Sequence, residues 1–148
     1  MPMQPATSRY SLLCPGKKSS SHKLEMRKEA AQEWRIIMKP YITMEEVIQT
    51  QGADSRTHRF LTEKNGCTNG CASGTTIYAS TQFSDRPGVH EDQEGFYVLE
   101  GEGYAKLDDL VFPIKKGDSF VALAGVAHTI RTKEGCEPVK VFWFHSAK

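Results

Sequence analysis

From residue 57 onward, short apolar runs follow one another, each closed within a few residues by a turn rich in Gly or Asp. The runs fall at 57–62, 75–83, 95–100, 102–107, 110–114, 119–123, 127–132 and 138–145. Between them sit NGCTNG, DRPG, LEGEG, LDD, KKGD, LAG and KEG. None is long enough to bury a helical stripe, and Val, Ile, Phe, Tyr and Thr dominate them. Many short strands at this spacing predict an antiparallel sandwich or barrel. With 148 residues, the chain is long enough for one such core without disulfide staples.

The first forty residues read differently. Residues 1–40 hold eight Lys and Arg against three Glu, whereas the remainder carries eleven basic and fifteen acidic residues. Residues 1–22 lack periodicity and predict a disordered tail. A basic amphipathic helix is expected at 23–39, with Leu24, Ala31, Trp34 and Met38 on one face, ended by Pro40. Residues 1–40 are therefore expected to form an extension and 41–148 the folded domain. MKPYITMEEV would itself serve as a natural start, so residues 1–37 are expected to be dispensable. Thr43 and Glu46 have capping-box spacing, which predicts one or two helical turns at MEEVIQT.

Composition excludes several classes. The net charge of +1 offers no basic field for nucleic acid. No apolar run reaches membrane-span length, and the opening residues lack the apolar stretch of a secretory signal. Four cysteines are too few for a disulfide scaffold, so a reducing, cytoplasmic setting is expected. Cys67 and Cys71, spaced C-x3-C in NGCTNGCASG, lack the second close pair that a zinc site needs. They are expected to be free loop thiols.

Histidines carry the chemistry. His90 and Glu94 are four residues apart, so an extended chain places them on one face. His128 follows a Gly turn and opens a strand. Two imidazoles and a carboxylate on barrel strands can hold one divalent ion with open positions, a donor set that suits Fe(II) and also accepts Mn(II), Zn(II) or Ni(II). The bland alternative is that these histidines only hydrogen-bond across the barrel mouth. Phe96, Val98, Phe142 and Phe144 read as core. Trp143 and Tyr97 read as pocket or oligomer surface. Arg59 and Arg131 are usually solvated, yet at a barrel mouth either can clamp a carboxylate. The run Phe142–Trp143–Phe144 has more apolar surface than one inner face takes, and so predicts a homodimer.

The stretch 75–145 resembles the cupin superfamily of small jelly-roll barrels. The family's first motif is G-x5-H-x-H-x3,4-E-x6-G. Glu94 and Gly101 keep its E-x6-G spacing within EGFYVLEGEG, and His90 falls at the second His. The second motif is G-x5-P-x-G-x2-H-x3-N, matched in register by Gly117, Gly125 and His128. The chain departs from the family at Gln82 for the opening Gly, Gly88 for the first His, Leu123 for the Pro and Thr132 for the Asn.

The resemblance implies an all-β antiparallel jelly-roll-type barrel with a metal held by three His and one Glu. Here it supplies His90, Glu94 and His128, one ligand short. Three readings stay open: three protein ligands plus water; a fourth donor from Gln82, Tyr78, His58 or His145; or a polar pocket without metal. The implied function is binding of, or action on, a small polar organic molecule, a carboxylate or a sugar, by dioxygenase, isomerase, decarboxylase or lyase chemistry. A non-catalytic sensor or binding barrel is the alternative. A metal-free isomerase of the sugar-nucleotide kind needs a His–Asp base pair, and none is visible in the sequence.

Overall fold

The computed structural model describes residues 21, 24–26, 28 and 39–146. The chain divides into two units, Met1–Trp34 and Arg35–Lys148. In the first, the described residues Ser21, Leu24, Glu25, Met26 and Lys28 are helical. Ala31, Trp34 and Met38 of the expected amphipathic face lie outside the described residues.

The second unit begins with helix α1, Met44–Gln51. Its start is the expected capping box. The Glu46 amide donates to the Thr43 hydroxyl, and the Thr43 amide donates to the Glu46 carboxylate at 2.9 Å. Such a cap contributes about 1 kcal/mol. Eight strands follow: β1 Thr57–Arg59, β2 Ala72–Tyr78, β3 Glu94–Glu100, β4 Glu102–Leu107, β5 Leu110–Lys115, β6 Ser119–Ala122, β7 His128–Thr132 and β8 Val139–His145. They form two antiparallel sheets, ordered β1-β2-β8-β3-β6 and β5-β4-β7. Two antiparallel sheets are what the run of short strands predicts, and they fit the jelly-roll-type fold that the resemblance implies. Among the described residues, no helix is long and apolar enough to cross a membrane.

Period-two alternation decides which side chains meet between the sheets. The five-stranded sheet sends in Phe96, Val98, Ala122, Val139, Val141 and Trp143. Ala105, Ile114 and Ile130 come from the other sheet. Val98, Val139 and Val141 are fully buried, and burying a side chain of this size contributes about 1.5–3 kcal/mol.

Two sequence expectations change. The strand expected at 75–83 ends at Tyr78. Beyond it the Ser80 hydroxyl donates to the Gln82 carbonyl and accepts from the Gln82 amide, a local turn that takes the chain out of the ladder. On β8 the aromatic faces are reversed. Trp143 is core, while Phe144 is exposed and Phe142 is half-buried on the outward face beside Tyr97. Gly74 makes room for Trp143. It pairs with Trp143 across the sheet, and a Cβ at Gly74 would lie 2.4 Å from the indole. The indole instead donates to the Thr76 hydroxyl at 3.0 Å.

Candidate metal centre

Four strand ends and loops converge at one end of the space between the sheets. Glu94 opens β3, His128 opens β7, and His145 closes β8. His90 lies on the segment before β3, whose backbone is tied down where the Gly125 amide donates to the His90 carbonyl at 2.7 Å. Sheet register does the assembling. Glu94 pairs directly with His145, so their side chains share the inward face at the same level.

Glu94 is the centre of the group and is buried. Its Oε2 lies 3.1 Å from His90 Nε2 and 2.8 Å from His128 Nε2. Its Oε1 lies 3.7 Å from His145 Nε2, too far for a hydrogen bond. One donor atom each from His90, Glu94 and His145 lie within 4.8 Å of one another, close enough to share an ion. His128 reaches the same carboxylate from the opposite sheet, with its ring centroid 5.2 Å from that of His90.

The second nitrogen of each buried ring decides what the first can do. Asp92 lies 3.2 Å from His145 Nδ1. That nitrogen therefore donates to the carboxylate, which fixes the orientation of the ring beside Glu94. Burial opposes ionisation of Asp92, but the hydrogen bond from His145 and the nearby His145 and His90 charges outweigh it. The Asp92 carboxyl is held below its ordinary range. His128 differs, because its Nδ1 donates to the Val126 carbonyl at 3.1 Å. A 2.8 Å contact from its Nε2 to a carboxylate then requires a second proton. Burial disfavours the charged ring, and the hydrogen bonds to Glu94 and Val126 overcome that, so the His128 pKa is raised. As placed, His128 holds a proton where a metal ligand must present a lone pair.

Gly88 explains where His128 sits. Its backbone pairs with His128 in both directions at 2.9 Å, and a Cβ on Gly88 would lie 2.7 Å from His128 Nε2. The absent side chain is the space the ring fills.

The remaining sequence candidates fall elsewhere. His58 is buried on β1 and donates to the Gly52 carbonyl at 2.9 Å, closing the end of α1. Gln82 is exposed in the turn after β2. Tyr78 packs inward against the core, and burial, with Glu94 adding, pushes its hydroxyl up to about 12, so it stays a neutral phenol. Cys67 and Cys71 are free thiols, and burial together with Cys71 raises Cys67. Asp92 is the member of the cluster that sequence reasoning missed. It is separated from His145 by 53 positions, and its only local signal is its even spacing from His90 and Glu94.

Residues 76–145 match the family model described as cupin domain. No curated protein matches the chain. Among solved structures, a cupin protein from Bacteroides fragilis superposes with a TM-score of 0.56 at 16% identity, covering 74% of this chain and 86% of that one. The cupin domain of Cnp3 from Schizosaccharomyces pombe gives a TM-score of 0.54 at 15% identity, covering 64% of this chain and 67% of that one. A protein from Thermotoga maritima titled a predicted oxalate decarboxylase gives 0.54 at 17% identity, covering 62% of this chain and 79% of that one. At these identities the likeness carries the fold alone.

Proposed function

We propose that this chain, a cupin domain over residues 76–145, holds one divalent metal ion and uses it to bind or transform a small polar organic molecule. The ligands in this reading are His90, Glu94 and His145, with His128 joining once its extra proton leaves. The observation that carries it is the His145–Asp92 contact at 3.2 Å. A carboxylate behind an imidazole orients the ring and raises its basicity, an arrangement typical of ligating histidines. His145, brought in from β8, stands in for the imidazole that the family has where this chain has Gly88. Imidazole and carboxylate donors fit Fe(II), Mn(II), Zn(II) and Ni(II) alike. The ion would supply Lewis-acid activation or a binding position for dioxygen. The protein's own groups fix its ligands, and the buried Glu94 supplies the compensating charge.

Metal titration tests this. Protein stripped with chelator and then given Mn(II), Zn(II) or Ni(II) at a hundred times Kd should melt on the order of 10 °C higher. His145→Ala should abolish that gain while leaving the stripped protein's melting temperature within a few degrees of wild type. Equal melting of stripped and metal-soaked wild type would remove the metal reading. A second reading would then stand, a metal-free ligand-binding barrel. One observation supports it: the Glu94–His128 contact at 2.8 Å already satisfies both groups.

A further inference from the structure

Two cysteines share the tight turn that leads into β2. Cys67 follows a short 3-10 helix, Glu63–Asn65, and its amide donates to the Thr62 carbonyl at 3.2 Å. Cys71 directly precedes Ala72, the first residue of β2, and its amide donates to the Thr68 carbonyl at 3.0 Å. Between them Asn69 and Gly70 both have positive φ, 54° and 82°. Positive φ at both central residues makes a type I′ turn, which Asn-Gly adopts at little cost. The chain therefore reverses between the two cysteines, and a backbone hydrogen bond fixes each of them.

The reversal makes the thiols neighbours. Burial is the first cause that pushes the Cys67 thiol up, and the hydrogen bond and charge of the Cys71 sulfur push it further. Both thiols are free and half-buried. Cys71 also lines a cavity of about 720 Å³ together with Arg59 and Lys64, which gives a small molecule a route to it. Thiols held as neighbours have a high effective concentration for each other, whereas a pair in an open chain must first lose loop-closure entropy. Such a pair passes readily from a mixed disulfide to an internal one.

We infer that Cys67 and Cys71 form a redox modification site that takes a small disulfide as co-reactant and closes a reversible internal disulfide. In the first step the Cys71 thiolate attacks one sulfur of the small disulfide. A mixed disulfide forms, and one small thiolate leaves. Cys67, the thiol that holds its proton, then releases it to solvent and attacks the Cys71 sulfur, expelling the second small thiolate. The two departing thiolates take up the two protons that the cysteines lose. The protein pair is oxidised by two electrons, and the small disulfide is reduced to two thiols. The reaction uses none of His90, Glu94, His128 or His145, so it stands apart from the metal reading.

Oxidised glutathione is the probe, applied to the full chain with Cys14→Ser and Cys136→Ser so that only the pair remains. After alkylation of unreacted thiols, intact mass should show a product two hydrogens lighter with no glutathione attached. Peptide mapping should show Cys67 joined to Cys71, and excess reduced glutathione should reopen the bond. Adding Cys67→Ser should instead accumulate glutathione on Cys71, which identifies the attacking sulfur. The equilibrium constant for closure should be at least about tenfold larger in native protein than in protein unfolded in urea, because the native turn has already closed the loop. A native chain that stays unreacted or keeps glutathione without closing overturns the inference. So does an unreactive Cys67→Ser variant, or a closure constant no larger in native protein than in unfolded.

Discussion

Strand β8 has two halves on one inward face. Val139 and Val141 lie at the first end, fully buried in an aliphatic core. Trp143 and His145 lie at the other, where the interior turns from hydrocarbon to imidazole and carboxylate. The alternation that buries the valines also delivers His145 to the cluster, because every second residue points the same way. The physics differs. At the valine end, stability comes from area removed from water and from close packing. At the histidine end a buried carboxylate is tolerated because His90 and His128 meet it at hydrogen-bond distance. One end holds the fold, and the other spends part of its packing on a site.

Disrupting the valine end should have the largest effect. Val141→Asp puts an unpaired carboxylate among Val98, Val139 and Trp143, at a cost above about 4 kcal/mol. Circular dichroism should show no cooperative melt at ambient temperature. If the folded signal persists, the valine end is not the core of the fold.

At the histidine end, Asp92→Asn should separate site from stability. It removes the carboxylate behind His145 while leaving the volume unchanged. Metal affinity should fall about 10–100-fold, measured by calorimetry, with the stripped protein melting within a few degrees of wild type. An unchanged affinity would mean that Asp92 does not orient a ligand.

The smallest effect is a drift with pH. The His128 pKa is raised in the folded protein. Its contribution to stability is therefore complete below the unfolded value of about 6.5 and is lost as pH climbs through the folded value. The melting temperature of metal-free protein should sag over that window by a few degrees, and His128→Gln should flatten the sag. The metal-loaded form should move the other way, since neutral imidazoles bind metal more tightly as pH rises. Parallel curves for the two forms would show that His128 does not exchange its proton for metal.

Much of the fold was readable from the chain. Among the described residues, six of the strands lie within a residue or so of the expected ranges, because turn residues and alternation are local signals, while β1 stops at Arg59 and β2 spans Ala72–Tyr78 instead of 75–83. Thr43 and Glu46 announced the α1 start for the same reason. His90 and Glu94 were readable as candidates for one site, but their side chains meet at 3.1 Å because the chain bends at Glu91 and Asp92, whereas four residues of extended strand would hold them about 13 Å apart. His145 was among several candidates, but nothing local set its direction. In the run of Val139 to Phe144 both faces are largely apolar, so alternation alone does not say which parity points inward.

The sequence by itself determined an antiparallel β-domain, its helix cap and a carboxylate with a histidine beside it, all written in separations of a few residues. Tertiary structure decided the rest of the site. The Glu94–His145 register, the Asp92 contact behind His145 and the ring of His128 resting over Gly88 each join residues from distant parts of the chain. Such pairings depend on which strands become neighbours and in what register, and burial of the whole sheet's inner face sets that register.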